Sequence, residues 1–217
     1  MRLRNVTKTY GDVVALDGVS VGFDPGTVHA LAGPNGSGKT TALRLLAGLT
    51  RPSAGTVERP NAPGYAFQQP NVYPGLTVRE NLDVFAAMVD ADPAWRAELI
   101  ERLRLAPARE RLAAELSDGY RKKLDLTLAL LKEPDILLLD EPLADLDDLT
   151  VSHLVALLAD YRSDERTVVV SSHRLNRLSP LLDRMSVVFD GEVVSDMSGD
   201  FDPSDAYAAA VADADTG

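Results

Sequence analysis

Gly33-Pro34-Asn35-Gly36-Ser37-Gly38-Lys39-Thr40 constrains this chain more than any other stretch. It fits the pattern G-x-x-x-x-G-K-[ST] at every fixed position. Its flanks fit as well. Thr27-Val28-His29-Ala30-Leu31-Ala32 is short and largely apolar, as a buried strand is, and Thr41-Ala42-Leu43-Arg44-Leu45-Leu46-Ala47 has a helical pattern that stops at Gly48. A strand, a glycine loop and a helix N-terminus make an anion site from backbone alone, because successive N–H groups wrap phosphate oxygens and the positive end of the helix dipole faces them. Gly33, Asn35, Gly36, Ser37, Gly38 and Thr41 belong to this cradle. Lys39 is placed to reach the β- and γ-phosphates, and the Thr40 hydroxyl to ligate Mg²⁺. A glycine-rich turn with a chance lysine rarely matches all four fixed positions in this context. The chain is expected to bind a nucleoside triphosphate.

Composition narrows the class. The 217 residues suffice for one large domain or two small ones, and 45% hydrophobic content supports a sizeable core. No cysteine is present, so disulfides and Cys-ligated metals are ruled out. Met1-Arg2-Leu3-Arg4-Asn5 opens no apolar signal segment, and no run approaches the ~18 apolar residues of a membrane span. The expectation is a soluble, cytoplasmic chain that meets a membrane only through a partner. A formal charge of −11 with no basic stripe argues against nucleic acid as a direct ligand. The chain has 23 Asp against 10 Glu and 5 Lys against 17 Arg. Dense carboxylate with little lysine suits a surface kept hydrated in concentrated salt, where self-repulsion is screened. A halophilic source is expected; high-GC codon bias also favours Arg over Lys but explains the Asp excess less well.

Residues 1–32 read as a small antiparallel lead-in: Val19, Val21 and Phe23 alternate with Ser20 and Gly22, and Asp24-Pro25-Gly26 is a turn. Tyr10 ends the first strand-like stretch, where a tyrosine either stacks on a base or is a surface aromatic. Arg51-Pro52-Ser53-Ala54-Gly55 is a turn cluster, and Gly64-Tyr65-Ala66-Phe67-Gln68 a short strand ending in glutamine. Residues 76–133 read as helices. Thr77-Val78-Arg79-Glu80 is a capping box, and Val78, Leu82, Phe85 and Val89 give its helix an apolar face. Asp92-Pro93 starts a second helix with the stripe Trp95, Leu99 and Leu103, closed by Pro107. A third begins at Ser117 and carries Leu124, Leu128 and Leu131 inward. Ile136-Leu137-Leu138-Leu139 leads into Asp140-Glu141 as a central parallel strand buried on both faces. Residues 149–163 are expected to be helical, and Thr167–Ser172 a second buried strand ending at His173. Ser186–Phe189, Asp190-Gly191 and Glu192–Val194 form a hairpin pattern, and the acidic, alanine-rich tail from Asp200 a short helix with a loose end. His29 and His153 read as structural.

Taken in order, Tyr10, GPNGSGKT (33–40), Gln68, LSDGY (116–120), ILLLDEP (136–142), Leu146-Asp147 and His173 resemble the ATP-binding cassette (ABC) ATPases over nearly the whole length. The resemblance implies an α/β fold: a phosphate-loop NTPase with a RecA-like parallel core, an antiparallel β subdomain and an inserted α-helical subdomain. One nucleotide-binding domain would span 1–217, with the core in 1–75 and 134–199, helices in 76–133 and an acidic tail in 200–217. It implies ATP and Mg²⁺ as ligands. Tyr10 would stack on adenine, Gln68 sense Mg²⁺ and the γ-phosphate, Asp140 hold Mg²⁺ through water, Glu141 act as general base, and His173 contact the γ-phosphate as a switch. Asp147 would lie in a loop that faces across a dimer. The physics of the acids agrees. They follow a buried strand and so emerge at its carboxyl end, where open α/β sheets bind ligands, and adjacent acids can divide metal and water between them.

The signature departs from the family's usual LSGGQ. Ser117 and Gly119 remain and resemble the positions that grasp the γ-phosphate bound by a partner subunit. Asp118 stabilises a helix first turn through the dipole but repels a triphosphate if it points inward. Related exporter cassettes vary at 118 and 120, so a working site with weaker closure is expected, and Leu143 and Asp145 are expected to tune the interface. The favoured function is the ATP-hydrolysing subunit of a membrane transporter, dimerising head to tail around ATP with a second nucleotide-binding subunit, an identical copy or else a different cassette, and acting through an integral membrane permease. Tyr73–Leu82 looks most like exporter cassettes of the drug, haem or polysaccharide sort. A soluble ABC machine on nucleic acid or ribosomes is the alternative. The span from Lys39 to Ser117 is only 117 − 39 = 78 residues, too short for long coiled-coil arms. A phosphate-loop kinase or GTPase fits less well, since no guanine-reading Asn/Thr-Lys-x-Asp is present.

Overall fold

The structure is a computed structural model and describes residues 1–59, 62–173 and 175–215. Strands β1 (Arg2–Tyr10) and β2 (Val13–Gly22) alternate buried and exposed side chains and pair antiparallel, turning at Gly11, whose φ is +58°. β3 (Val28–Ala32) is buried at every residue and lies in a different sheet. The antiparallel lead-in therefore ends before β3. Its third strand is instead β4 (Ala54–Glu58), which pairs with β1 although the sequence reads there as a turn. Helix α1 (Lys39–Leu46) joins the two sheets.

β5 (Gly64–Ala66) stops two residues short of Gln68, whereas the sequence carried the strand to that glutamine. Three helices follow. α2 (Val78–Val89) has the expected capping box at Thr77 and Glu80. Its apolar face buries Val78 and Leu82, while Phe85 is half-buried and Val89 exposed. α3 (Pro93–Arg102) is capped by Asp92 with Pro93 in its first turn. It ends before Pro107, because Arg104 turns the chain at φ +54° and Pro107 sits in a separate 3₁₀ turn. α4 (Asp118–Leu130) is capped by Ser117. Val78, Leu82, Leu105, Ala108, Ala113, Leu116 and Leu124 form the apolar cluster of this helical part.

The chain then returns to the main sheet through β6 (Ile136–Asp140), α5 (Asp148–Tyr161), β7 (Thr167–Ser171), β8 (Arg184–Phe189) and β9 (Glu192–Ser198). The six-stranded order is β5-β6-β7-β3-β8-β9, parallel except for β9. The β8–β9 hairpin turns at Asp190 and Gly191, both at positive φ, as the favoured two-residue turn requires. Side chains alternate across the sheet. Leu31, Leu138, Val169 and Val188 face α1 and the antiparallel sheet, whereas Ala30, Leu137, Leu139, Val168 and Val170 face α5. The tail is better anchored than its composition suggested. α6 (Pro203–Asp215) packs Ala206, Tyr207, Ala210 and Val211 onto the core. No helix among the described residues is long and apolar enough to cross a membrane.

Candidate nucleotide-binding site

The loop between β3 and α1 has a shape only glycine allows. A Cβ on Gly33 would lie 2.2 Å from the Val188 carbonyl oxygen, and one on Gly38, at φ +108°, would lie 2.5 Å from the Ala15 carbonyl oxygen. Gly38 caps α1 without a side-chain bond, which leaves the first amides of the helix free of side-chain caps. Lys39 is buried, and its Nζ donates to the carbonyls of Gly33 (2.8 Å) and Pro34 (2.9 Å), so the ammonium arches over the loop. Burial pushes the Lys39 pKa down, against the nearby carboxylates of Glu141 and Asp140. Ser37 Oγ is buried with no partner among the described residues. A buried hydroxyl without a partner costs free energy unless a ligand supplies one.

The two acids stand where β6 ends. Asp140 Oδ1 accepts from the hydroxyls of Thr40 (3.0 Å) and Ser171 (2.7 Å), and Oδ2 from the Tyr65 hydroxyl (3.2 Å). Its carboxylate is thereby fixed from three elements. Glu141 adopts φ +46°, a strained region for a residue with a Cβ, and its amide donates to Ser171 Oγ (2.9 Å). Glu141 Oε2 meets His173 Nδ1 at 2.9 Å, while Oε1 is buried without a partner among the described residues. Gln68 is exposed and lines one cleft together with Asn35, Gly36, Gly38–Thr41 and Glu141.

Other residues singled out in the sequence lie outside that cleft lining. Tyr10 is 46% exposed, with the Lys8 ammonium 4.7 Å from its ring centroid. The Ser117 hydroxyl caps α4 by accepting from the Tyr120 amide (3.4 Å), and a Cβ on Gly119 would come 2.8 Å from the Asp145 carbonyl oxygen. Asp118 is exposed and paired with Arg121. Lys123 links the signature to the next loop: its ammonium lies 4.9 Å from the Tyr120 ring centroid and 3.9 Å from Asp147 Oδ2. Asp147 caps α5 through the Thr150 amide (2.9 Å) and hydroxyl (2.7 Å). Leu143 is fully buried in the core, so its side chain is not on a surface it was expected to tune; Asp145 sits at φ +62°. The sequence reading missed Ala15, Tyr65, Ser171, Lys122 and Asp125. None belongs to a contiguous motif, and only the fold brings them to the site.

Fold and site together define a phosphate-loop NTPase, with its acids at the carboxyl end of β6, which β7 separates from the loop-bearing strand β3. The chain belongs to the ABC transporter family, whose model matches residues 16–144. It is similar to the Nod factor export ATP-binding protein I of Burkholderia orbicola, 34% identical over 209 residues that cover 89% of this chain and 69% of the relative. A lantibiotic transport ATP-binding protein of Streptococcus pyogenes is 26% identical, covering 89% of each. A dimeric ATP-binding cassette solved in a post-hydrolysis state with ADP and Pi has a TM-score of 0.79 at 28% identity, covering 92% of this chain and 99% of that one. The protein is an ATP-binding cassette of this family, and its enzyme class is the family's, an ATPase.

Proposed function

We propose that this chain is the ATP-hydrolysing subunit of an exporter, working as a head-to-tail pair on the cytoplasmic face of a membrane permease. The Nod factor and lantibiotic relatives support the export direction. The whole chain acts as one nucleotide-binding domain, with residues 76–133 as the helical part that meets the permease.

One observation carries the chemistry: Glu141 lines the cleft of the phosphate loop, and its buried Oε1 has no partner among the described residues. That oxygen takes the proton of a water attacking the γ-phosphorus, and the bond from phosphorus to the ADP oxygen breaks. His173, on the other carboxylate oxygen, orients Glu141 and reports the γ-phosphate. Lys39 and the amides of Gly36, Gly38 and Thr41 hold the phosphates. Tyr10 stacks on adenine, and Ser117 with Gly119 reaches the γ-phosphate held by the partner subunit.

Mg²⁺ fits the donors present. The Thr40 hydroxyl, the Asp140 carboxylate and the Gln68 amide are oxygen ligands too few to hold an ion alone, which suits a cation shared with a triphosphate. Among the described residues there is no group of three or more His, Asp or Glu that would cage a metal without it. The ion would neutralise charge on the transferring phosphoryl group.

The test is the molar mass of Glu141→Gln by light scattering in concentrated salt. Loss of the base traps the closed state, so a dimer is expected with Mg-ATP and a monomer with Mg-ADP. A monomer in both would overturn the symmetric two-site reading.

A further inference from the structure

Between the signature and the acids, α4 buries two charges that nucleotide chemistry does not use. Lys122 and Asp125 are 1% and 2% exposed, one helical turn apart. Lys122 Nζ donates to the carbonyls of Phe67 (2.7 Å), Gln68 (3.1 Å) and Asp140 (3.1 Å), which matches the three protons of an ammonium. The Asp125 carboxylate accepts from the amides of Phe67 (2.7 Å) and Asn71 (3.0 Å). Both backbone groups of Phe67 are therefore held by side chains of α4.

This arrangement explains why β5 ends where it does. Its parallel ladder with β6 runs Gly64↔Leu137, Tyr65↔Leu138 and Ala66↔Leu139. The next step would bring Phe67 opposite Asp140. Instead its amide turns to Asp125 and its carbonyl to Lys122, and the chain leaves the sheet toward α4 with Gln68 in the cleft.

Burying two charges is costly, and an apolar pair of similar volume is often as stable or more so. In some proteins such a network serves to fix one arrangement of parts. Lysine is also scarce here: none of the five in the chain falls in the exposed class, so this one was not drawn from a lysine-rich surface.

We propose that Lys122 and Asp125 are positioning residues that lock the backbone of the Gln68 loop to α4 and pin both to the end of β6. α4 then turns only by carrying Gln68 with it, and the ammonium on the Asp140 carbonyl is the pivot. Engagement of Ser117 at the head of α4 is thereby felt at Gln68. The inference rests on the reading of Gln68 given above.

The experiment compares Lys122→Met, Asp125→Asn and Gln68→Ala by amide hydrogen exchange without nucleotide and by steady-state ATPase kinetics. In Lys122→Met the amides of 66–71 should exchange about tenfold faster or more while peptides over 33–41 keep their protection. Its kcat should fall about tenfold with KM for ATP held within about threefold, since the phosphate loop is untouched. Asp125→Asn should loosen Phe67 and Asn71 alone; it carries the test should Lys122→Met fail to fold. In a variant that folds, unchanged exchange over 66–71, or a rise in exchange no larger there than over the rest of the chain, overturns the lock. Full kcat in Gln68→Ala would instead sink the role of Gln68 while leaving the lock to be judged by exchange.

Discussion

His29 illustrates how far single side chains depart from their own chemistry in this fold. It is fully buried on β3, four residues before Gly33, beside Phe23. Its Nε2 lies 2.7 Å from Ser186 Oγ, which donates to Asp196 Oδ1 at 3.0 Å. Burial lowers the pKa to about 4 despite the opposing pull of Asp196. The unfolded chain binds a proton below pH ~6.5 and the folded one only near pH 4, so stability is full above that upper value and is lost as pH falls between them. The shift corresponds to on the order of 3 kcal/mol. Urea unfolding of His29→Gln from pH 7 to pH 4 should show a shallower decline than the parent; an equal slope would place the acid sensitivity elsewhere. Residues were legible in the sequence where the motif is contiguous, as in Gly33–Thr40 and Asp140-Glu141. Tyr65 and Ser171 were not, because each reaches Asp140 from another strand and nothing local marks either one.

Helix α2 is the element whose origin is most local. The Thr77 hydroxyl accepts from the Glu80 amide (3.1 Å), and the Thr77 amide donates to Glu80 Oε2 (2.8 Å). Asn81, one turn in, ties the preceding loop by accepting from the Tyr73 amide (2.8 Å) and donating to the Tyr73, Leu76 and Thr77 carbonyls. Thr77→Ala should cost about 1 kcal/mol, the usual loss for a threonine cap. The check is a lowered urea midpoint with unchanged m and unchanged nucleotide affinity, since the cap is remote from the cleft. A loss of affinity would mean that α2 reports to the site. Helix starts at Thr77, Asp92 and Ser117 could be read because capping depends on three or four neighbouring residues. β4 and the end of β5 could not. β4 is defined by β1 some fifty positions earlier, and β5 is stopped by Lys122 and Asp125 on a helix not yet reached.

Across the whole molecule, the order of elements followed from the motifs, and the surface follows from the charge. The formal balance is −11. Lysine has been withdrawn from the exposed surface: Lys39, Lys122 and Lys123 are buried and Lys8 and Lys132 half-buried. The exposed cations are arginines, several in ion pairs such as Arg4–Glu58 (2.6 Å) and Arg162–Asp183 (3.1 Å). Surface pairs of this kind contribute at most about 1 kcal/mol each and do not offset the repulsion among unpaired carboxylates. In dilute buffer that repulsion opposes folding; at 1 M salt the screening length is only about 3 Å and it is nearly silent. The melting temperature should therefore rise steeply with KCl up to about 1 M, reflecting screening. Salt also strengthens apolar burial, so the origin of the rise needs its own control. Converting exposed Asp12, Asp17, Asp164 and Asp200 to lysine changes the balance by 4 × 2 = 8, from −11 to −3. If self-repulsion is the cause, this variant melts higher than the parent in dilute buffer and loses most of the KCl dependence. A salt response equal to the parent's would assign the effect to burial and remove the physical basis for a halophilic surface.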